Sequence, residues 1–126
     1  MHTFVLQEWT TIRGASGINV TQSESEWLDL TQYEDLTLWI DCKELTGTTV
    51  TLNIETSPTK DDSLFAAMYA ATLTTTLISP STAAAKILMS SATVPVARYV
   101  RWKLVAPAAA YDATFRIFIA ANAPGA

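Results

Sequence analysis

The sequence offers few side chains for acid–base or nucleophilic chemistry. It contains one cysteine, Cys42, and one histidine, His2. A catalytic triad combines a nucleophile, an imidazole and a carboxylate, and a structural zinc site uses several cysteine or histidine ligands. His2 follows the initiator methionine, where chain ends usually fray, and Cys42 falls on the predicted inward face of a strand. We therefore expect a protein that is not an enzyme and that holds no metal or other cofactor.

Carboxylates are the other candidates for catalysis, because two of them facing each other across a cleft can hydrolyse a glycosidic bond. They form four groups: Glu24, Glu26 and Asp29; Glu34 and Asp35; Asp41 and Glu44; Asp61 and Asp62. None of these groups has the spacing of a calcium-binding loop or of a known catalytic motif. We interpret them as turn residues that keep the surface soluble, with a small hydrolase and a calcium site at Asp61 and Asp62 as open alternatives.

Aromatic and arginine side chains form a third group, which is predicted to lie on strand faces that point away from the core. The candidate protein-binding residues are Trp39, Tyr99, Arg101, Arg116 and Phe118. Aromatic residues and arginine are enriched at protein interfaces, which favours a protein partner. Two alternatives stay open: the rings act as a sugar-stacking platform, or a second sheet or the loop over residues 58–85 covers the group.

Strands are needed to position these side chains, and period-two alternation predicts them. Residues 35–42 place Ile40 and its apolar neighbours inward and Trp39 outward. Residues 49–55 repeat the pattern, with Ile54 inward. Because a short turn separates the two segments, we expect them to form an antiparallel hairpin.

Two further half-buried strands are predicted near the carboxyl end, over residues 98–105 and 113–121. Weaker strand patterns cover residues 3–11, 18–22, 26–30, 73–78 and 86–90. Residues 61–71 are the one helical candidate, with an aspartate available to cap the amino end. We assign Trp9, Trp27 and Trp102 to the core.

Length and composition then limit the architecture and the partners. A chain of 126 residues fits a single domain over residues 1–126. The strand pattern predicts an all-β antiparallel β-sandwich or jelly roll of about eight or nine short strands with at most one short helix. Charged residues make up only 16% of the chain and the net charge is −4, so we expect no nucleic-acid partner.

The amino-terminal residues have neither the basic start nor the apolar run of a secretory signal, so we expect synthesis in a cytosol. The longest weakly polar stretches, residues 65–77 and 105–110, are shorter than the roughly 20 apolar residues that span a bilayer. We therefore expect no membrane association.

Three segments resemble those of small β-sandwich proteins in tailed-phage virions. They read WLDL at residues 27–30, VTLNIETSP at 50–58 and ARYVRWKL at 97–104. On these segments the chain resembles a capsid decoration, or cement, protein. Similar strings also occur in galactose-binding-like sandwiches, so a carbohydrate-binding module that uses exposed aromatic residues is the alternative.

The resemblance to decoration proteins implies an enzymatically inert β domain that is made in the host cytoplasm and sits on the capsid surface of the virion. It implies the major capsid protein as partner and a homo-oligomer, with a trimer favoured. It implies no catalytic residues, and no binding residues carry over from it. A surface low in charge with exposed aromatic rings would suit such repeated contacts.

Overall fold

The computed structural model describes residues 2–33, 35–48, 50–73, 85–89, 96–105 and 107–122. These residues form nine strands and two short 3-10 segments, at Glu24–Glu26 and Asp62–Leu64. In chain order the strands are β1 (His2–Gly14), β2 (Val20–Thr21), β3 (Leu28–Asp29), β4 (Asp35–Thr46), β5 (Val50–Ser57), β6 (Ala66–Leu73), β7 (Ala85–Met89), β8 (Tyr99–Val105) and β9 (Tyr111–Asn122). None of the described residues lies in a helix long and apolar enough to cross a membrane.

The strands form two antiparallel sheets. Sheet A has the order β1-β9-β4-β7, and sheet B has the order β2-β8-β5-β6. β3 also pairs with β8, next to β2 along the same edge of sheet B. The prediction of an all-β antiparallel sandwich is therefore confirmed.

The core lies between the two sheets and follows the predicted alternation. On sheet A the inward residues include Leu38, Ile40, Ile117 and Ile119, each fully buried. On sheet B they include Leu52, Ile54, Val100 and Leu104, which are also fully buried. The Trp102 ring from β8 meets the Phe115 ring from β9 edge to face, with centroids 5.2 Å apart, so an aromatic contact joins the sheets at the centre of the core.

The predicted hairpin between residues 35–42 and 49–55 is wrong. β4 belongs to sheet A and β5 to sheet B, so the two strands do not pair. Gly47 lies in the connection that takes the chain from sheet A to sheet B. Its φ is 98°, and a Cβ there would lie 2.2 Å from the carbonyl oxygen of Ala110. Alternation predicts which face of a strand is buried, but it does not indicate the neighbour with which the strand pairs.

The predicted helix over residues 61–71 is wrong as well. The segment begins with the 3-10 turn at Asp62–Leu64 and continues as β6, which pairs with β5. The predicted aspartate cap exists, because the Asp61 carboxylate accepts a hydrogen bond of 3.0 Å from the Ser63 backbone N–H. The cap closes one turn only, since the free edge of β5 provides pairing for the residues that follow.

The weaker strand predictions have mixed outcomes. β1 extends beyond residues 3–11 at both ends, whereas β2 and β3 are two-residue strands inside the predicted ranges. β7 agrees with residues 86–90 to within one residue at each end. The strand predicted over residues 73–78 lies outside the described residues except for its first position.

Candidate interaction surface

The five predicted binding residues do not share one surface. Trp39, Arg116 and Phe118 lie on the outer face of sheet A, because their neighbours in β4 and β9 point into the core. Tyr99 and Arg101 lie on the outer face of sheet B, on the opposite side of the sandwich. The single mixed face expected from the strand patterns is therefore two separate faces.

On the outer face of sheet A the strand register brings apolar side chains into one row. Trp39 on β4 is the cross-strand partner of Phe118 on β9, and Phe118 is in turn the partner of Val5 on β1. Trp9, further along β1, lies beside them and is 42% exposed, as is Val5. The sheet A patch, defined as Val5, Trp9, Trp39, Arg116 and Phe118, thus combines three aromatic rings with one arginine.

Arg116 is held in place by two rings of the patch and by Asp41. Its Cζ lies 4.7 Å from the centre of the Trp9 ring and 5.0 Å from that of Phe118. Its Nε donates to Asp41 Oδ2 at 3.2 Å. The Arg116 side chain keeps 34% of its surface exposed, so a positioned guanidinium remains accessible among the rings.

The structure corrects the assignment of two of the three tryptophans. Trp102 is buried in the core as predicted, but Trp9 is exposed. Trp27 is only half-buried and lies on the outer side of sheet B, against Arg101. Shifts of register in β1, on either side of Gln7, change which residues face outward. No signal in the sequence marked these irregularities, which is why Trp9 was missed as a surface residue.

On sheet B, Arg101 is not a surface residue. Its side chain is 3% exposed, and its Nε donates to the buried Glu55 carboxylate at 2.9 Å. Nη1 bonds to Asp62, and Cζ lies 3.8 Å from the centre of the Phe65 ring and 5.0 Å from that of Trp27. Two acidic groups and two rings therefore enclose the guanidinium, and Arg101 has no surface left for a partner.

The cover over Arg101 comes from two connecting segments. Trp27 follows the 3-10 turn at Glu24–Glu26, and Phe65 follows the one at Asp62–Leu64. Their rings meet edge to face, with centroids 4.8 Å apart. The alternative that a loop covers the outward residues thus holds for Arg101, whereas the sheet A patch keeps exposed residues.

Tyr99 lies at the margin of sheet B among charged side chains. Arg98 Cζ lies 4.9 Å from the centre of its ring, and Lys60 Nζ lies 5.5 Å from it. Arg98 also bonds to Asp29 Oδ2 at 3.1 Å. The Thr31 hydroxyl, and then Arg98, lower the pKa of the Asp29 carboxyl. The two cations make the Tyr99 ring a poor platform for a sugar.

Cys42, Asp61 and Asp62 are held in structural contacts. Cys42 is buried, as expected, and burial raises the pKa of its thiol. Asp61 caps the turn at Ser63, while Asp62 pairs with Arg101. Within the described ranges, no group of three or more His, Cys, Asp or Glu side chains is placed to hold a metal ion.

Comparison with known proteins finds no matching family model, no matching curated protein and no matching solved structure. The surfaces and the order of the strands are therefore the basis for inferring function.

Proposed function

We propose that this chain is a non-enzymatic structural protein of a tailed-phage virion, a capsid decoration protein that binds the major capsid protein through the sheet A patch. The observation that carries the proposal is the exposure of Trp9 and Val5 beside a positioned Arg116. Aromatic residues and arginine dominate the binding energy of protein interfaces. On sheet B, Arg101 is enclosed, and the exposed Arg98 lies against the single ring of Tyr99.

The order of the strands supports this proposal. We propose that the sandwich is a jelly roll, in which the first strand pairs with the last and the pairing continues inward along the chain. The pairs β1·β9, β2 and β3 with β8, β4·β7, and β5·β6 have this nested order. Jelly rolls are frequent in viral capsid proteins and also in lectins.

The decoration hypothesis also predicts that the protein forms a homo-oligomer and that it lies on the capsid surface. A homotrimer on the capsid surface would present three copies of the sheet A patch to neighbouring capsid subunits. Repeated contacts of moderate strength then add up through avidity. The protein would be synthesised in the host cytoplasm and join the head during or after assembly.

The second hypothesis is a carbohydrate-binding module that uses Trp39, Tyr99 or Phe118 as a stacking platform. Tyr99 lies on the opposite side of the sandwich from the other two rings and carries two cations against its own ring. Tyr99 therefore cannot share a platform with the other two rings, whereas Trp39 and Phe118 are cross-strand partners on one face. The Arg116 guanidinium over the Phe118 ring favours a protein partner for this face.

Co-sedimentation with phage heads tests the proposal. Heads assembled from the major capsid protein of the same virus are mixed with the wild-type protein, with Phe118→Ala or with Tyr99→Ala. We expect the wild type and Tyr99→Ala to sediment with the heads, and Phe118→Ala to stay in the supernatant. Wild-type protein that remains in the supernatant at every concentration would contradict the proposal.

Light scattering across a concentration series tests the oligomer separately. The chain mass is 13.7 kDa, and the trimer proposal predicts three times that mass. A mass equal to that of one chain at all concentrations would remove the trimer from the proposal. Binding to heads as a monomer would remain testable by sedimentation.

A further inference from the structure

A cleft of about 780 Å³ lies where the edge of sheet A meets the edge of sheet B. β1 forms one wall, and β2 with the turn that follows it forms the other. Its volume falls in the range typical of small-ligand sites, which is about 300 to 1,000 Å³. The sheet A patch lies on the outer face of the same sheet and shares Val5 with the cleft, whereas its three rings and Arg116 are not among the cleft-lining residues.

The lining of the cleft includes a hydrogen-bonded polar network, here called the floor, that is centred on Gln22, which is 3% exposed. Its Nε2 donates to the Leu6 carbonyl at 2.6 Å and to the Glu26 carbonyl at 3.3 Å. Its Oε1 accepts from the Trp102 backbone N–H at 3.3 Å. The Trp102 indole N–H donates to Gln7 Oε1 at 3.0 Å. The floor is thus fixed before any ligand binds, which lowers the entropic cost of binding.

The same network makes it unfavourable for an extended peptide ligand to pair as an added β-strand in the middle of the cleft. An added strand needs a regular row of free N–H and C=O groups along an edge. β1 is irregular on both sides of Gln7, and Gln22 already occupies the Leu6 carbonyl. A ligand in this part of the cleft therefore has to be recognised by side chains.

The side chains available for recognition are acidic or neutral. Glu8 on one wall and Glu26 on the other are exposed, and neither carboxylate forms an ion pair with a described cation. Thr10, Thr21 and Ser23 also line the cleft and carry hydroxyls. None of the residues that line the cleft is lysine or arginine. An anionic ligand would have no counter-charge, whereas hydroxyl groups can donate to the carboxylates and exchange hydrogen bonds with the three hydroxyls.

From this arrangement we infer that the cleft between β1 and β2 binds a neutral saccharide. The carboxylates of Glu8 and Glu26 accept hydrogen bonds from sugar hydroxyls, and the apolar side chains of Val5 and Val20 contact the C–H surfaces of the ring. Hydrogen bonds to charged acceptors are the stronger ones, so the two glutamates provide most of the orientation. A virion protein with such a site would bind a surface glycan in addition to the capsid.

Binding of the isolated protein to an array of neutral oligosaccharides tests the inference. Titration of the best-bound oligosaccharide, followed by NMR, then gives a Kd for the wild type and for each variant. We expect Glu8→Gln combined with Glu26→Gln to weaken binding about tenfold or more, because a neutral amide replaces each charged acceptor. Glu24→Gln is the matched control, since Glu24 lies in the same 3-10 turn but outside the cleft lining.

The outcomes separate this site from the proposed capsid contact. Binding that is unchanged in Glu24→Gln and in Trp39→Ala, and weakened in the double variant, supports the cleft. Loss of binding in Trp39→Ala would move the sugar site to the sheet A patch and overturn the inference. The absence of binding to every neutral oligosaccharide on the array would overturn the inference as well. Neither of these two results changes the outcome expected for sedimentation with phage heads. All of the substituted glutamates are exposed, and equal thermal midpoints confirm that the variants fold.

Discussion

The two outer faces of the sandwich use the same residue types for opposite purposes. On sheet A, Arg116 lies between Trp9 and Phe118 and keeps 34% of its side chain exposed. On sheet B, Arg101 lies against Trp27 and Phe65 and keeps only 3%. The difference is the cover that two connecting segments place over sheet B. An arginine among aromatic rings is thus partly exposed on one face and part of a second, small core on the other.

The largest expected difference in the free energy of unfolding is between variants that lack one or the other of the two arginines. Arg101→Met leaves the buried Glu55 carboxylate without its partner, and we expect a loss of about 3 to 5 kcal/mol in the free energy of unfolding. Arg116→Met breaks a partly exposed pair with Asp41, with an expected loss of about 1 kcal/mol or less. Urea denaturation of both variants measures the difference. Equal losses would show that the two faces are not distinct.

Removing one ring from each face is expected to give a smaller difference in the loss of stability. Phe65→Ala uncovers Arg101, and we expect a loss of about 2 kcal/mol, the value for a cation–π contact shielded from water. Trp9→Ala removes an exposed ring, with an expected loss of about 0.5 to 1 kcal/mol. Thermal midpoints provide the comparison. A larger loss for Trp9→Ala would assign the structural role to sheet A.

The smallest effect concerns Asp29, beside Arg98 at the margin of sheet B. Hydrogen bonds from Thr31 and Arg98 lower the pKa of its carboxyl below the ordinary value of 3.8. Its folded pKa is below its unfolded pKa, so its contribution to stability is complete above the unfolded pKa and is lost as pH falls through the folded one. NMR titration of the carboxyl carbon should give a midpoint that rises in Thr31→Val and in Arg98→Gln, because each variant removes an interaction that lowers the pKa. A midpoint that is unchanged in both variants would contradict this assignment.

The sequence was sufficient to predict β4, β5, β8 and β9 and the buried face of each. Each inward residue in the predicted strands at 35–42, 49–55, 98–105 and 113–121 is buried, because period-two alternation directly reflects burial on one face. Sheet membership could not be predicted in the same way. β4 and β5 are adjacent in sequence yet belong to different sheets, since pairing depends on contacts between residues far apart in the chain.

The candidate site was predictable only in part, for two physical reasons. Trp39 and Phe118 were correctly placed outward on strands that proved to be neighbours. Trp9 was missed because irregular pairing in β1 breaks the alternation. Arg101 was placed outward correctly in register, but the cover from Trp27 and Phe65 depends on how two turns fold over the sheet.

The most direct test of the central claim is hydroxyl-radical footprinting of the protein, free and bound to phage heads. Mass spectrometry then gives the oxidation rate of each aromatic side chain in both states. We predict that Trp9 and Phe118 become protected on the heads, while Tyr99 on the opposite face keeps its rate. Protection of Tyr99 with unchanged rates for Trp9 and Phe118 would contradict the assignment of the sheet A patch as the capsid-binding surface.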